Sequence, residues 1–104
     1  MIKIGKSIPD VSFYSCQPKT KKELIDIIEY RISKEGPNCD LNDIDVSKIT
    51  DMSYLFYVSD FNGDISRWDI SKVKDMRWMF YKSGFKQDIS NWKINKDCNC
   101  ANIF

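Results

Sequence analysis

The chain has 104 residues, of which 42% are hydrophobic and 13% aromatic, and its charges sum to +1. This length gives one domain around one core, the composition excludes disorder, and the near-neutral charge excludes both an acidic DNA mimic and a strongly basic nucleic-acid binder. Histidine is absent, which removes histidine acid–base catalysis, Ser-His and Cys-His nucleophile pairs, and histidine metal ligands.

Residues 1–17 hold two short alternating runs, Ile2/Ile4 and Val11/Phe13, around Gly5 to Asp10, a pattern that predicts a small hairpin. The start has no apolar signal core, so the expected location is the cytoplasm, or the host cytosol if the chain is phage-encoded. No apolar run approaches the length of a membrane span. Residues 20–35 predict a helix. Thr20 and Glu23 form a capping box, Leu24, Ile27, Ile28 and Ile32 form one apolar stripe, and Gly36-Pro37 ends it. This helix is the expected cap over the open core of residues 37–104.

From residue 37 the chain repeats itself. Residues 37–60 and 61–84 share ten identical positions, and 61–80 and 85–104 share eight, all at one ungapped offset of 24 residues. Phe61-Asn62-Gly63-Asp64-Ile65-Ser66-Arg67-Trp68 is echoed by Phe85-Lys86-Gln87-Asp88-Ile89-Ser90-Asn91-Trp92. Within one unit, Trp68 and Ile70 alternate with Asp69, the period of a half-buried strand. Val73, Met76 and Phe80 then lie at i, i+3 and i+7, one face of a helix, with Ser71 as its cap and Ser83-Gly84 as its stop. The resulting expectation is an α/β solenoid. It would be a short leucine-rich-repeat-like stack of three 24-residue strand–helix coils (37–60, 61–84, 85–104), with residues 1–36 as hairpin and capping helix, all in one compact domain. Trp68 and Trp92 should then be neighbours in adjacent coils.

The phrase at 61–80, Phe-Asn-x-Asp-Ile-Ser-x-Trp-Asp-Ile-Ser-Lys-Val-x-x-Met-x-x-Met-Phe, resembles the BspA-like leucine-rich repeat, a domain of unknown function in mycoplasma lipoproteins, bacterial surface proteins and some large viruses. The resemblance covers about 38–104. It implies a small repeat domain used for binding and supplies no catalytic residue. The last unit departs from it, with Asp97 and Cys100 where the second has Val73 and Met76. This marks either a polar cap or an open end that pairs with another chain, giving a homodimer through the C-terminal coil.

The cysteines are Cys16, Cys39, Cys98 and Cys100. Without a secretory signal, free thiols are expected. The one close pair has a single-residue spacer, unlike the C-x-x-C knuckles of four-thiolate zinc sites, so neither metal nor cofactor is expected.

On the presumed helical face, Lys74, Arg77, Trp78 and Tyr81 share one exposed stripe. Stacking at 24 residues places Tyr54 beside Trp78 and Tyr57 beside Tyr81. Aromatics with basic residues have the composition of an interface hot spot, although the same rings are also suited to closing a small core. Asp69, Asp45, Ser71 and Ser47 on the presumed strand face read as local turn and cap residues. The functional expectation is a non-enzymatic protein-binding module with a protein partner, acting through Tyr54, Tyr57, Lys74, Arg77, Trp78 and Tyr81. Two alternatives stand beside it. One is a phage or mobile-element inhibitor that blocks a host defence effector such as a CRISPR complex; the other is a surface or adhesin fragment.

Overall fold

The computed structural model describes residues 14–104. The hairpin expected in the first 17 residues falls outside the described residues except for its end. One helix is present among them, α1 (Lys21–Glu35). Thr20 caps it, its Oγ1 accepting from the Glu23 amide at 3.2 Å, while Glu23 Oε1 accepts from the Lys19 amide at 2.8 Å. Leu24 and Ile28 are buried, and Gly36 closes the helix at φ 92° with its amide on the Ile32 carbonyl.

The strand–helix solenoid expected for 37–104 is not what forms. The repeats contain no helix and no sheet. The described residues hold three isolated parallel bridges, Cys16 with Ile44, Asp51 with Asp75, and Asp75 with Asn99. The leucine-rich-repeat description therefore does not hold either. What replaces the predicted helix is a chain of linked turns. Leu55, Tyr57 and Ser59 donate their amides to Met52, Tyr54 and Phe56, each three residues back. The intervening amides of Met52, Tyr54, Phe56 and Val58 instead donate one unit onward, to Asp75, Arg77, Met79 and Tyr81 at 2.8–3.0 Å. The second unit repeats this, with Met76, Trp78 and Phe80 donating to Asn99, Ala101 and Ile103. A helix would send every amide four residues back. Here alternate amides are used between units, so the units are joined at the 24-residue offset. Left-handed backbone at Tyr54, Val58, Trp78 and Lys82 (φ 52–61°) completes the departure from helix.

The predicted strand at 68–70 does not form either, and a turn follows at 71–72. The Ser71 amide donates to Asp69 Oδ1 at 3.0 Å, and Val73 donates to the Ile70 carbonyl. Ser71 therefore belongs to a side-chain turn made by Asp69 and caps no helix. The same turn recurs at Asp40, Asp64 and Asp88, and again at Asp51, Asp75 and Asn99.

These turns make stability depend on ionised carboxylates. The Ser66 amide, and after it the Ser66 hydroxyl, holds Asp64 below the usual carboxylate range, and Ser90 does the same for Asp88. Burial pushes Asp51 up, but the Ser53 hydroxyl and amide outweigh it and its net shift is downward. A folded-state pKa below the unfolded value stabilises the fold above about pH 4 and is lost as pH falls through the folded values. The urea midpoint should therefore drop steadily between about pH 4 and pH 2. Asp64→Asn should weaken that dependence while keeping the turn, as Asn99 does. A wild-type midpoint unchanged over this range would rule the account out.

The core is a set of ring columns in register. Phe56, Phe80 and Phe104 stack at 5.7 and 5.3 Å, and Phe61 with Phe85 at 6.1 Å. Trp68 and Trp92 each reach one unit back: Trp68 Nε1 donates to the Leu41 carbonyl and Trp92 Nε1 to the Ile65 carbonyl, both at 2.9 Å. The two indoles occupy equivalent places in adjacent units, Trp68 against Phe56 and Trp92 against Phe80. α1 covers the first unit. Arg31 donates to both Asp43 oxygens and to the Asp40 carbonyl, and Lys21 Nζ donates to the Ser53 carbonyl and hydroxyl. Beside α1, Ser15 and Cys16 exchange backbone bonds with Asp43 and Asp45.

Candidate functional site: an outer aromatic array

The turn segments 52–59 and 76–83 send some side chains into the core and others away from it. Met52, Phe56, Met76, Met79 and Phe80 are buried. Tyr54 and Tyr57 remain 50% and 44% exposed, while Trp78 and Tyr81 are half-buried. The inter-unit bonds hold these four rings in a two-by-two array. Tyr54 lies parallel to Trp78 at 6.1 Å, and Tyr57 parallel to Tyr81 at 5.9 Å. Within each unit the rings meet edge-on, Tyr54 with Tyr57 at 5.3 Å and Trp78 with Tyr81 at 4.5 Å.

The predicted basic residues fare differently. Arg77 is exposed beside the array, but its guanidinium is engaged. Its Nε and Nη2 donate to Asp75 at 3.0 and 2.8 Å, and this bond leads the causes that hold the Asp75 carboxyl below its ordinary range. Lys74 is exposed and joins the stack through its backbone, bonding Thr50 and Asn99. The cation seated on the array is Lys82, its Nζ 5.6 Å from the Tyr81 ring centroid. The sequence reading left Lys82 out of the stripe, although on a helix it too would stand beside Trp78, four residues on; here its backbone is left-handed, at φ 52°. Sequence reasoning also missed a groove of about 310 Å³ between α1 and the 54–59 turns, lined by Ile25, Glu29, Ile32, Tyr57 and Val58 among others. The groove runs into the array at Tyr54 and Tyr57.

The backbone under the array is strained. Left-handed geometry costs about 1–2 kcal/mol for a residue other than glycine or asparagine. The third unit meets the same position with Asn102, a residue suited to it. The first two units place Tyr54 and Trp78 there. Val58, β-branched and 59% exposed at φ 53°, is strained without any ring to show for it. Val58→Asn should therefore raise unfolding stability by about 1 kcal/mol, or a melting temperature by about 4–8 °C. A lower melting temperature for this variant would contradict the strain.

Elsewhere the four cysteines are free, and burial, then the Cys100 hydrogen bond, pushes the Cys98 thiol up to about 11. Among the described residues no helix is long and apolar enough to cross a membrane.

The fold and site together define a small repeat protein built of linked turns, capped by one helix and carrying an outer aromatic array. A model of the family described as Mycoplasma protein of unknown function, DUF285, matches residues 29–104, and the chain belongs to that family. No curated protein and no solved structure matches it.

Proposed function

We propose that the chain is a non-enzymatic, cytoplasmic protein-binding module, related to the BspA-like repeat proteins, whose contact surface is the array of Tyr54, Tyr57, Trp78 and Tyr81. One observation carries this reading. Two large rings occupy strained left-handed positions where the chain's own third unit uses asparagine. Strained backbone clusters at functional sites, and amphipathic rings are frequent anchors of protein interfaces. The groove beside Tyr57 offers a partner side chain an apolar seat next to the rings. Lys82 adds positive charge at the edge, which favours a partner with an acidic rim. The chain has no histidine, and its thiols suit a reducing compartment.

The test copies the third unit: Tyr54→Asn with Trp78→Asn. Relief of backbone strain offsets the lost ring stacking, each worth about 1 kcal/mol, so the variant should stay folded. Loss of a hot spot worth about 2 kcal/mol should cut recovery of the bound protein about thirtyfold in quantitative affinity capture from the native host. Tyr30→Ala, which removes an exposed ring on α1, should leave recovery unchanged. Equal recovery by wild type and the double variant would dismiss the array as a binding surface.

A further inference from the structure

Cys98 and Cys100 stand where the earlier units have Lys74 or Thr50 and Met76 or Met52. Asn99 between them is clamped to the second unit, its amide donating to the Lys74 carbonyl at 3.0 Å and its carbonyl accepting from Met76 at 2.8 Å. Its side chain also accepts from the Ala101 amide. Residues two apart on such a bridged segment share a face. The two Sγ atoms accordingly lie 3.8 Å apart, and both residues are half-buried, within reach of solvent.

That spacing, set by a hydrogen bond from the Cys100 thiol to Cys98 Sγ, fits one use of the pair better than another. A disulfide needs the sulfurs about 2.05 Å apart, so closing one would pull against the clamp on Asn99. A tetrahedral thiolate site with metal–sulfur bonds of about 2.3 Å sets its sulfurs about 3.8 Å apart. The pair thus already has the bite of two ligands on such an ion. Among the described residues no third His, Cys, Asp or Glu gathers with them. A closed structural site takes four ligands, so two must come from outside the chain. A second identical pair supplies the right number and chemistry.

We propose that Cys98 and Cys100 are half of a zinc-type four-thiolate site completed by the same two residues of a second copy, so that one Zn(II) joins two chains. In forming it, four S–H protons pass to the buffer, four zinc–sulfur bonds replace zinc–water bonds, and no electrons are transferred. The site is separate from the aromatic array and stands or falls without it.

Titration of the reduced full-length chain with Co(II) under argon tests this, followed by absorption and by light scattering. The expected result is thiolate-to-cobalt charge transfer with tetrahedral ligand-field bands, saturating at one metal per two chains as the mass doubles. Zn(II) should bleach the bands and preserve the dimer. Cys98→Ser with Cys100→Ser should abolish both signals, and Cys16→Ser should preserve them. Should the double variant fail to fold, Cys98→Ser alone, at a position that accepts Thr50 and Lys74, must abolish them too. A chain that stays monomeric, takes one metal per chain, or gives the same spectrum without Cys98 overturns the proposal.

Discussion

Phe80→Ala is expected to cost about 3–5 kcal/mol of unfolding free energy, a large share of the stability of a domain whose total is about 5–15 kcal/mol. Phe80 is fully buried and meets four rings, Phe56, Phe85, Trp92 and Phe104, at 5.7, 4.4, 6.3 and 5.3 Å. It is the one side chain that ties all three units into a single ring column. Its backbone is equally committed, with its amide on Ile103 and its carbonyl accepting from Ser83. The surrounding chain is therefore poorly placed to collapse into the space, and a large residual cavity raises the cost. Chemical denaturation would register the loss as a fall in midpoint at unchanged slope. A loss below about 1 kcal/mol would mean that the column does not bear on the fold.

Gly63→Ala is the second. An added methyl would be driven into the Cys39 carbonyl oxygen and would lie 2.7 Å from Phe61 Cε1. The first of these is backbone and cannot yield cheaply, so about 3 kcal/mol is expected, with a fall in melting temperature of more than about 10 °C. The equivalent position one unit on is Gln87, which carries a full side chain. The two junctions differ in how they are spaced. The Asn62 amide bonds the Pro37 carbonyl directly at 2.7 Å, whereas the Lys86 amide bonds the side-chain Oδ1 of Asn62, which sets the backbones apart. Gln87→Ala should accordingly be almost neutral in the same thermal melts. Equal behaviour of the two substitutions would refute the difference between the junctions.

Much of this arrangement is legible in the residues. The cap, stripe and stop of α1 are readable at Thr20, Leu24 and Gly36, because helix ends are governed by local chemistry. The 24-residue offset correctly pairs Tyr54 with Trp78 and Tyr57 with Tyr81, because identical positions in a repeat meet identical neighbours. The error lies in the conformation between those points. Val73, Met76 and Phe80 follow i, i+3, i+7, and a run of linked turns returns its apolar side chains at almost the same interval as a helix. Periodicity reports which residues face inward and is silent on where the amides go. What separates the two is long-range: alternate amides bonding the next unit, and left-handed backbone at Tyr54, Trp78, Val58 and Lys82, none of which is a glycine. The aspartates give the clue that is available. Asp-x-Ser recurs at Asp64, Asp69 and Asp88, and short polar side chains bonding amides two residues on favour turns over helix and strand alike.

The joining of units through every second amide has an outcome for how such a protein can change length. Each unit offers its neighbour the same alternating set of donors and acceptors, so a tandem copy of 61–84 would find both of its junctions already provided for. Growth by whole copies would lengthen the outer pair of ring columns by two rings at a time, like rungs added to a ladder, without redesign of the interior. The number of outer rings would then be set by gene duplication in discrete increments.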